Sequence, residues 1–357
     1  MRDSSTRSFT AASASRGGYG NGRNNRQKNI LTVAILAVMV AIIVLTVLII
    51  LEIADCSGAK PDNGGGVNTN SEFGALSFED KLYSSLDVST GDLILINSSF
   101  PYVFPTDAPA LLDLYSNRST LGTSASGRPI RSYYTQNAKT SAKMEASVLG
   151  HFNAMTDDFY RATGNIDLFI YDEDGYRTYD EQAAKHSKNS NIYAPAGKTE
   201  HHTGKCIDLY VNVSSDKPVY KLDDAQFNGV YKWIYDNCYK YGFVLRYPAD
   251  KATVTGVTYE PYHFRYVGYA HAYYMETNGL CLEEYLDFIR DNHTKNSPLY
   301  VTGDNGNSYM IYYVSASSEN LTSIPVPVAG SEGYSYTVSG DNKEGFIVTV
   351  EKKNTAS

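Results

Sequence analysis

Residues 30–51 form an apolar stretch that divides the chain into a short N-terminal part and a long C-terminal part. The stretch contains no charged residue, no proline and no glycine. It exceeds the roughly 20 residues that a helix needs to span the hydrocarbon core of a bilayer. A core helix of a globular domain would show a polar face, but only Thr32 and Thr46 are polar here. The sequence therefore predicts a transmembrane helix.

Charges on either side of this stretch predict its orientation. Residues 1–29 contain six Arg or Lys residues against one Asp, whereas Glu52 and Asp55 follow the stretch. Basic flanks stay on the cytoplasmic side, so we expect the N-terminus in the cytoplasm and the rest outside. A cleaved signal peptide is the alternative, but its apolar core is usually shorter and precedes a small-residue cleavage site. An uncleaved signal-anchor is therefore preferred.

Composition along the chain predicts the domain boundaries. Residues 1–29 are rich in Ser, Arg, Gly and Asn and predict a disordered tail, and residues 52–82 predict a flexible linker outside the membrane. Strand-like and helix-like patterns mix over residues 83–296, which predicts an α+β domain with an antiparallel sheet flanked by helices. Residues 297–357 alternate short apolar runs with Gly, Asn and Asp turns and predict a small β extension.

Several local patterns within residues 83–296 predict individual elements. Apolar residues at steps of three or four predict helices over residues 141–163 and 225–241, and Gly164 is expected to end the first. Short apolar runs at residues 93–97 and 206–213 predict strands.

The charge distribution excludes one class of partner. The formal net charge is −8 although the N-terminal tail is basic, so the acidic charge lies in the main body of the chain. An acidic body argues against nucleic acid as a partner. The sequence has no phosphate-binding loop or dinucleotide fingerprint, so no nucleotide cofactor is expected either.

Two short motifs carry the candidate chemistry. Residues 199–208 are Thr-Glu-His-His-Thr-Gly-Lys-Cys-Ile-Asp, and residues 260–268 are Glu-Pro-Tyr-His-Phe-Arg-Tyr-Val-Gly. Two imidazoles and a carboxylate, with one position left open, make the donor set of a catalytic zinc. A second carboxylate beside the attacking water is what hydrolysis requires.

The positions of these residues suggest how they converge. His201 lies just before the predicted strand that carries Asp208, so both can reach one site, with His263 as the natural third ligand. Glu260, three residues before His263, can lie on the same side of the site without being a ligand. Its carboxylate is then placed to act as a general base.

The order and spacing of these residues resemble those of the VanY-type zinc D-alanyl-D-alanine carboxypeptidases, which belong with the lysostaphin-like and hedgehog-like folds. The likeness extends to Asp-Gly-Tyr-Arg-x4-Gln at residues 174–182 and covers about residues 90–290. It implies one zinc ion per chain and assigns a role to each site residue. The implied ligands are His201, Asp208 and His263, the general base is Glu260, the oxyanion-stabilising residue is Arg177, and the substrate contacts are Thr199, Gln182 and Tyr262.

The resemblance also implies a substrate and a location. It implies removal of the C-terminal D-alanine from peptidoglycan stem peptides by an enzyme at a bacterial cell membrane, with its catalytic domain outside. D,D-carboxypeptidase activity on pentapeptides is preferred. L,D-carboxypeptidase activity on tetrapeptides and a non-enzymatic wall-binding protein of the same fold are the alternatives. Asp174 and Phe264 depart from the family pattern at the pocket walls, which bears on substrate preference.

Cys206 stands where the family has an alanine-like residue. Because side chains alternate along a strand, Cys206 is expected to face the same way as Asp208. It is interpreted either as a small buried residue or as an extra metal ligand or oxidation-sensitive thiol. The other cysteines, which are Cys56, Cys238 and Cys281, fit no structural zinc motif, and mostly free or buried thiols are predicted.

Overall fold

A computed structural model describes most of the chain after residue 72. The described residues are 73–354 without 75, 213–219, 223–228, 329–330 and 332. The predicted cytoplasmic tail and the predicted transmembrane stretch lie outside them. Within the described ranges, none of the helices combines the length and the apolar character that a membrane span requires.

Strands and helices alternate irregularly along the described residues. The strands are β1 (Phe78–Ser84), β2 (Leu111–Asp113), β3 (Gly122–Thr123), β4 (Pro129–Ile130), β5 (Tyr134–Thr135), β6 (Lys143–Glu145), β7 (Leu168–Ile170), β8 (Cys206–Asp208), β9 (Tyr210–Val211), β10 (Tyr220–Lys221), β11 (Phe243–Leu245), β12 (His263–Tyr266), β13 (Leu299–Thr302), β14 (Ser308–Ser315), β15 (Leu321–Pro327), β16 (Tyr334–Gly340) and β17 (Gly345–Lys352). The α-helices are α1 (Ala146–Thr163), α2 (Tyr179–Lys188), α3 (Lys232–Asn237), α4 (Ala252–Thr255), α5 (Tyr269–Asn278) and α6 (Leu282–Asn292). Short 3-10 helices lie at Ser85–Ser89, Glu200–Thr203, Cys238–Tyr241 and Ala249–Lys251.

The mixed α and β composition confirms the predicted class, but the β structure is divided into several small sheets. The candidate site lies on the antiparallel sheet β11-β12-β8, and β9 continues the chain into a second sheet, β10-β9-β7-β5. The single strand predicted over residues 206–213 is therefore wrong. Leu209 is the junction between β8 and β9: its backbone N–H still donates to Tyr262 O at 3.0 Å, next to β12, whereas Tyr210 and Val211 pair with β7 and β10. In the second sheet β5 and β7 are parallel.

Helix α1 forms the main support of these two sheets. Its buried face follows the predicted spacing and includes Val148, Phe152 and Met155. The helix begins at Ala146 rather than at residue 141, because residues 143–145 pair as β6 with β2. It ends as predicted at Gly164, where a φ of 69° requires the left-handed conformation that glycine adopts without strain.

Two other predicted elements differ in the structure. Residues 93–97 are not a strand, although Leu93 and Leu95 are buried. Their backbone groups bond outside any sheet: Leu95 N–H donates to Asp341 O at 3.0 Å, and Ile94 O accepts from Arg265 Nη2 at 3.1 Å. The helix predicted over residues 225–241 is reduced, within the described residues, to α3 and the 3-10 turn that follows it.

The C-terminal strands form the predicted β structure, and one of their sheets shares a core with the main domain. One face of the sheet β13-β14-β17-β16 packs through Ile311 and Ile347 against α5 and α6. The other face packs with the β1-β15 pair, where Phe73 and Ile324 are buried. Residues 78–82 were predicted to belong to the linker 52–82, but they form part of strand β1. Truncation before β13 would expose the apolar faces of α5 and α6.

His271 connects α5 to the C-terminal sheet. Its Nδ1 lies 2.6 Å from Tyr285 Oη, and its Nε2 lies 2.9 Å from Thr349 Oγ1. Burial lowers the pKa of His271 to about 4. The neutral imidazole is therefore part of the folded structure, and its protonation opposes folding.

This lowered pKa predicts a stability that depends on pH. Below a pH of about 6.5 the unfolded chain binds a proton at His271, whereas the folded protein does not until about pH 4. The contribution is complete above pH 6.5 and is lost as the pH falls towards 4, by up to about 3 kcal/mol. Urea unfolding at neutral and acidic pH measures this loss. His271→Gln, which keeps polar partners but does not titrate, is expected to lose less stability over the same interval, and an equal loss would contradict the assignment.

Candidate metal centre

His201 is held by the 3-10 turn that precedes β8. The Thr199 side chain caps this turn by accepting the His201 backbone N–H at 3.4 Å, and Gly204 ends it with a φ of 69°. His201 Nδ1 lies 2.7 Å from Gly175 O, so Nδ1 is the protonated nitrogen of the neutral ring. Its Nε2 is 3.6 Å from Asp208 Oδ1 and carries the lone pair that a metal would use.

The strand register brings Asp208 and His263 together. His263 on β12 pairs directly with Asp208 on β8, and its Nδ1 lies 2.7 Å from Asp208 Oδ1. The His201 and His263 rings are 5.1 Å apart between centroids, and all three side chains are buried. The three predicted ligands therefore converge on one carboxylate oxygen, which is hydrogen-bonded to His263 and lies 3.6 Å from His201 Nε2.

Charges in this cluster favour an ionised Asp208. Burial by itself would raise the pKa of this carboxyl, but His201, His263 and Arg177 hold it below its ordinary value. Burial would likewise lower the pKa of His263, but the neighbouring Cys206 thiol, Asp208 and Glu200 raise it well above its ordinary value. Both pKa shifts favour a protonated His263 ring that donates its Nδ1–H to the ionised Asp208 carboxylate.

The donor set fits a divalent metal such as zinc. Two imidazoles and one carboxylate are ligands that catalytic zinc sites combine. A metal at this position would replace the proton that Asp208 and His263 share. Residues His201, Asp208 and His263 would hold it, and the cleft beside them leaves access for water and substrate.

Glu200 is a buried partner of this cluster that the sequence patterns did not indicate. Its Oε1 lies 2.8 Å from Arg246 Nε and 2.9 Å from Arg265 Nη1, and its Oε2 lies 3.6 Å from His263 Nε2. Burial opposes ionisation of Glu200, but the two arginines offset it and hold the pKa of this carboxyl well below its ordinary value. Glu283 completes the network by accepting from both terminal nitrogens of Arg246, at 2.8 and 2.7 Å.

The predicted oxyanion residue Arg177 lies at the edge of the cluster. Its guanidinium is buried and donates to Glu173 O, to Gln182 Oε1 at 3.3 Å and to Asp174 Oδ1 at 3.1 Å. Its Nη2 is also 3.5 Å from Asp208 Oδ2. The arginine and its carboxylate partners Asp174 and Asp208 are all buried, so these are not surface ion pairs.

Beside the cluster lies a cleft of about 380 Å³. Its lining joins the predicted ligands to the other predicted site residues, which are Glu260, Arg177, Thr199, Gln182 and Tyr262. Tyr262 hydrogen-bonds to the Glu260 carboxylate. Gln182 is less free to contact substrate than expected, because its Nε2 donates to Ala194 O at 2.7 Å and its Oε1 accepts from Arg177.

His202, the neighbour of the predicted ligand His201, has a structural position. It is fully buried, its Nδ1 donates to Arg177 O at 2.7 Å, and its Nε2 accepts from Gly197 N–H at 2.9 Å. Burial lowers the pKa of this imidazole. His202 thus joins the backbone at Arg177 to the backbone at Gly197.

Comparisons with known proteins identify relatives of this chain. The model of the family described as VanY, D-alanyl-D-alanine carboxypeptidase, matches residues 141–269. A D-alanyl-D-alanine carboxypeptidase from Enterococcus faecium is 32% identical over 273 residues, which cover 76% of this chain and 79% of that protein. The bifunctional D-Ala-D-Ala dipeptidase and D-Ala-D-Ala carboxypeptidase VanXYC from Enterococcus gallinarum is 35% identical over 138 residues, covering 36% of this chain and 72% of that protein.

A solved structure extends the likeness to the fold. The crystal structure of the vancomycin resistance D,D-dipeptidase VanXYg, in complex with a D-Ala-D-Ala phosphinate analog, has a TM-score of 0.61 and 25% sequence identity. The match covers 77% of this chain and 99% of that one. The fold and the sequence matches together define a carboxypeptidase, within the hydrolases. The chain belongs to the VanY D-alanyl-D-alanine carboxypeptidase family, which confirms the resemblance that its motifs predicted.

Proposed function

We propose that this chain is a zinc-dependent D,D-carboxypeptidase that removes the terminal D-alanine from peptidoglycan stem pentapeptides. The observation that carries the proposal is the buried convergence of His201, Asp208 and His263 beside a cleft that Glu260 also lines. Membership of the family supports the substrate class, since the relative from Enterococcus faecium is named for the same activity.

Each site residue has a defined task in this reaction. A bound zinc ion supplies Lewis acidity for the peptide carbonyl and for the attacking water. Glu260 takes the proton of that water and passes it to the leaving amine, and Tyr262 holds the Glu260 carboxylate by a hydrogen bond. The Arg177 guanidinium stabilises the negative charge that develops on the carbonyl oxygen.

The role of Arg177 gives a graded prediction. Arg177→Met is expected to lower kcat by about 10²- to 10³-fold, because it removes a donor to the developing oxyanion. Arg177→Lys is expected to lie between this variant and the wild type, since it keeps the charge but loses the planar fork. D-alanine release measures the effect, with zinc content and thermal unfolding determined in parallel. Loss of zinc in proportion to loss of activity would instead assign Arg177 to the positioning of Asp208.

A substrate comparison tests the proposed function. The compact unit formed by residues 66–357 would be purified and offered synthetic stem pentapeptide and tetrapeptide, before and after chelation and zinc restoration. Zinc-dependent D-alanine release from the pentapeptide is the expected result. Release from the tetrapeptide alone would favour the L,D-carboxypeptidase alternative. Zinc binding without release from either peptide would favour a wall-binding protein.

We also propose that residues 30–51 anchor the enzyme in a bacterial cell membrane with its catalytic domain outside. Support comes from the uncharged apolar stretch and its basic N-terminal flank. The full chain is expected in the membrane fraction, extracted by detergent but not by high salt, and its catalytic domain should be open to protease added outside the cell. Recovery of the full chain in the soluble fraction would contradict the anchor.

A further inference from the structure

Lys198 lies on the wall of the cleft, three residues before the predicted ligand His201. Hydrogen bonds fix the backbone at this point. The Lys198 backbone N–H donates to Pro195 O at 3.0 Å, and the Gly197 N–H donates to His202 Nε2 at 2.9 Å. The Lys198 side chain therefore starts from a defined position on the cleft wall.

The ammonium group of Lys198 is available to a ligand. The residue is partly buried, and its ammonium makes no hydrogen bond or ion pair with the residues that the structure describes. Lysine side chains are mostly exposed, and those that are buried are paired. An anion bound in the cleft would supply the partner that the described chain does not.

The other charges of the cleft increase the need for such a cation. Arg177 is the second Lys or Arg residue among the described residues that line the cleft, and Asp174 and Asp208 already offset its charge, at 3.1 and 3.5 Å. Asp208 and Glu260 also line the cleft and would repel a substrate carboxylate. Taking that carboxylate out of water without a cationic partner is costly, so Lys198 is the residue placed to receive it.

We propose that Lys198 binds a carboxylate of the substrate peptide and so selects peptides that carry one. The proposal rests on the proposed carboxypeptidase function and adds a specificity-determining residue to it. A hydrogen bond between an ammonium and a carboxylate is about twice as strong as one between neutral groups. A stem pentapeptide offers its terminal carboxylate and, further from the scissile bond, carboxylates on D-glutamate and diaminopimelate residues. These sources present the same group to Lys198, and matched peptides separate them.

Three synthetic stem pentapeptides test the contact. The parent peptide carries all of these carboxylates, the second ends in D-alaninamide, and the third has isoglutamine and lysine in place of D-glutamate and diaminopimelate. Wild-type enzyme would be compared with Lys198→Met and Lys198→Arg. Lys188→Met is the matched control, because Lys188 is an exposed lysine at the end of α2 that does not line the cleft. Hydrolysis is followed through the tetrapeptide product, and zinc content is measured in parallel.

Lys198→Met is expected to lower kcat/KM for the parent peptide by about tenfold to a hundredfold, mainly by raising KM, because it removes a hydrogen bond to a charged group. Lys198→Arg should recover part of this loss, since it keeps the charge. The loss should disappear with one of the two altered peptides, and that peptide identifies the carboxylate that Lys198 binds. Equal losses with all three peptides, or no loss with any, would overturn the contact.

Peptide binding without turnover gives an independent readout. Calorimetric titration of the three peptides into Glu260→Gln, with and without Lys198→Met, measures the contact even for a peptide that is not cleaved. A loss of affinity that depends on one of the carboxylates supports the contact. Equal affinities with and without Lys198→Met would overturn it and leave the proposed function intact. Carboxylate-dependent binding to a wild-type enzyme that cleaves none of the peptides would instead overturn the proposed function.

Discussion

Glu260→Ala is expected to lower the rate of D-alanine release by about 10²- to 10⁴-fold and to leave zinc binding unchanged, because the residue serves as a general base. Glu260 lines the cleft beside the predicted ligands, and Tyr262 hydrogen-bonds to its carboxylate. Removing the carboxylate leaves the attacking water without its proton acceptor. The rate is measured with synthetic stem pentapeptide at saturating substrate, and bound zinc is measured on the same preparation.

Two further variants test whether the loss of activity is specific to the Glu260 carboxylate. Glu260→Gln keeps the size and the polarity of the side chain but cannot accept the proton, so it is expected to lose nearly as much activity. Glu319→Ala removes an exposed glutamate between β14 and β15 and should behave like the wild type. Loss of zinc from Glu260→Ala would identify Glu260 as a ligand, and retained activity would exclude it as the base.

Arg246→Met is expected to destabilise the fold by about 3–5 kcal/mol, because it leaves buried carboxylates with too little positive charge. The Arg246 and Glu200 side chains are fully buried, and Glu283 is nearly so. Methionine fills a similar volume, so the loss of folding free energy reports the missing positive charge more than a change in packing. Urea unfolding of residues 66–357 at neutral pH gives the free energy.

A matched surface arginine provides the control for this effect. Arg290 makes ion pairs with Asp287 and Asp291, whose side chains are exposed, so Arg290→Met should cost less than about 1 kcal/mol. Arg246→Met should also weaken zinc binding, since Glu200 lies beside His263. A cost for Arg246→Met as small as that of Arg290→Met would mean that Arg265 alone compensates Glu200.

The sequence was sufficient to predict the site residues that lie close together along the chain. His201 and Asp208 are seven positions apart across a tight turn and a strand, so their convergence follows from the local backbone. Periodic apolar residues likewise predicted the buried face of α1, and Gly164 marked the end of this helix. Such signals are local, since a helix or a turn is built from hydrogen bonds between neighbouring residues.

Contacts between distant segments explain what the sequence did not indicate. Glu200 follows Thr199 with no periodic signal, and only the folded chain brings Arg246, 46 positions away, to its carboxylate. Residues 93–97 have the composition of a strand, but Arg265 and the loop near Asp341 take their backbone bonds. Composition likewise assigned residues 78–82 to the linker, although they pair with β15 more than 200 positions later.

By itself the sequence determined the family, the set of metal-binding candidates and the residue that would serve as base. Motif order and spacing carry that information, because each motif must place its side chains on one short stretch of backbone. Only the tertiary structure decided that Arg177 is buried against Asp208 and that Glu200 lies between two arginines behind His263. Those relations depend on the pairing of β8 with β12 and on which charges are buried together, and neither is encoded in local spacing.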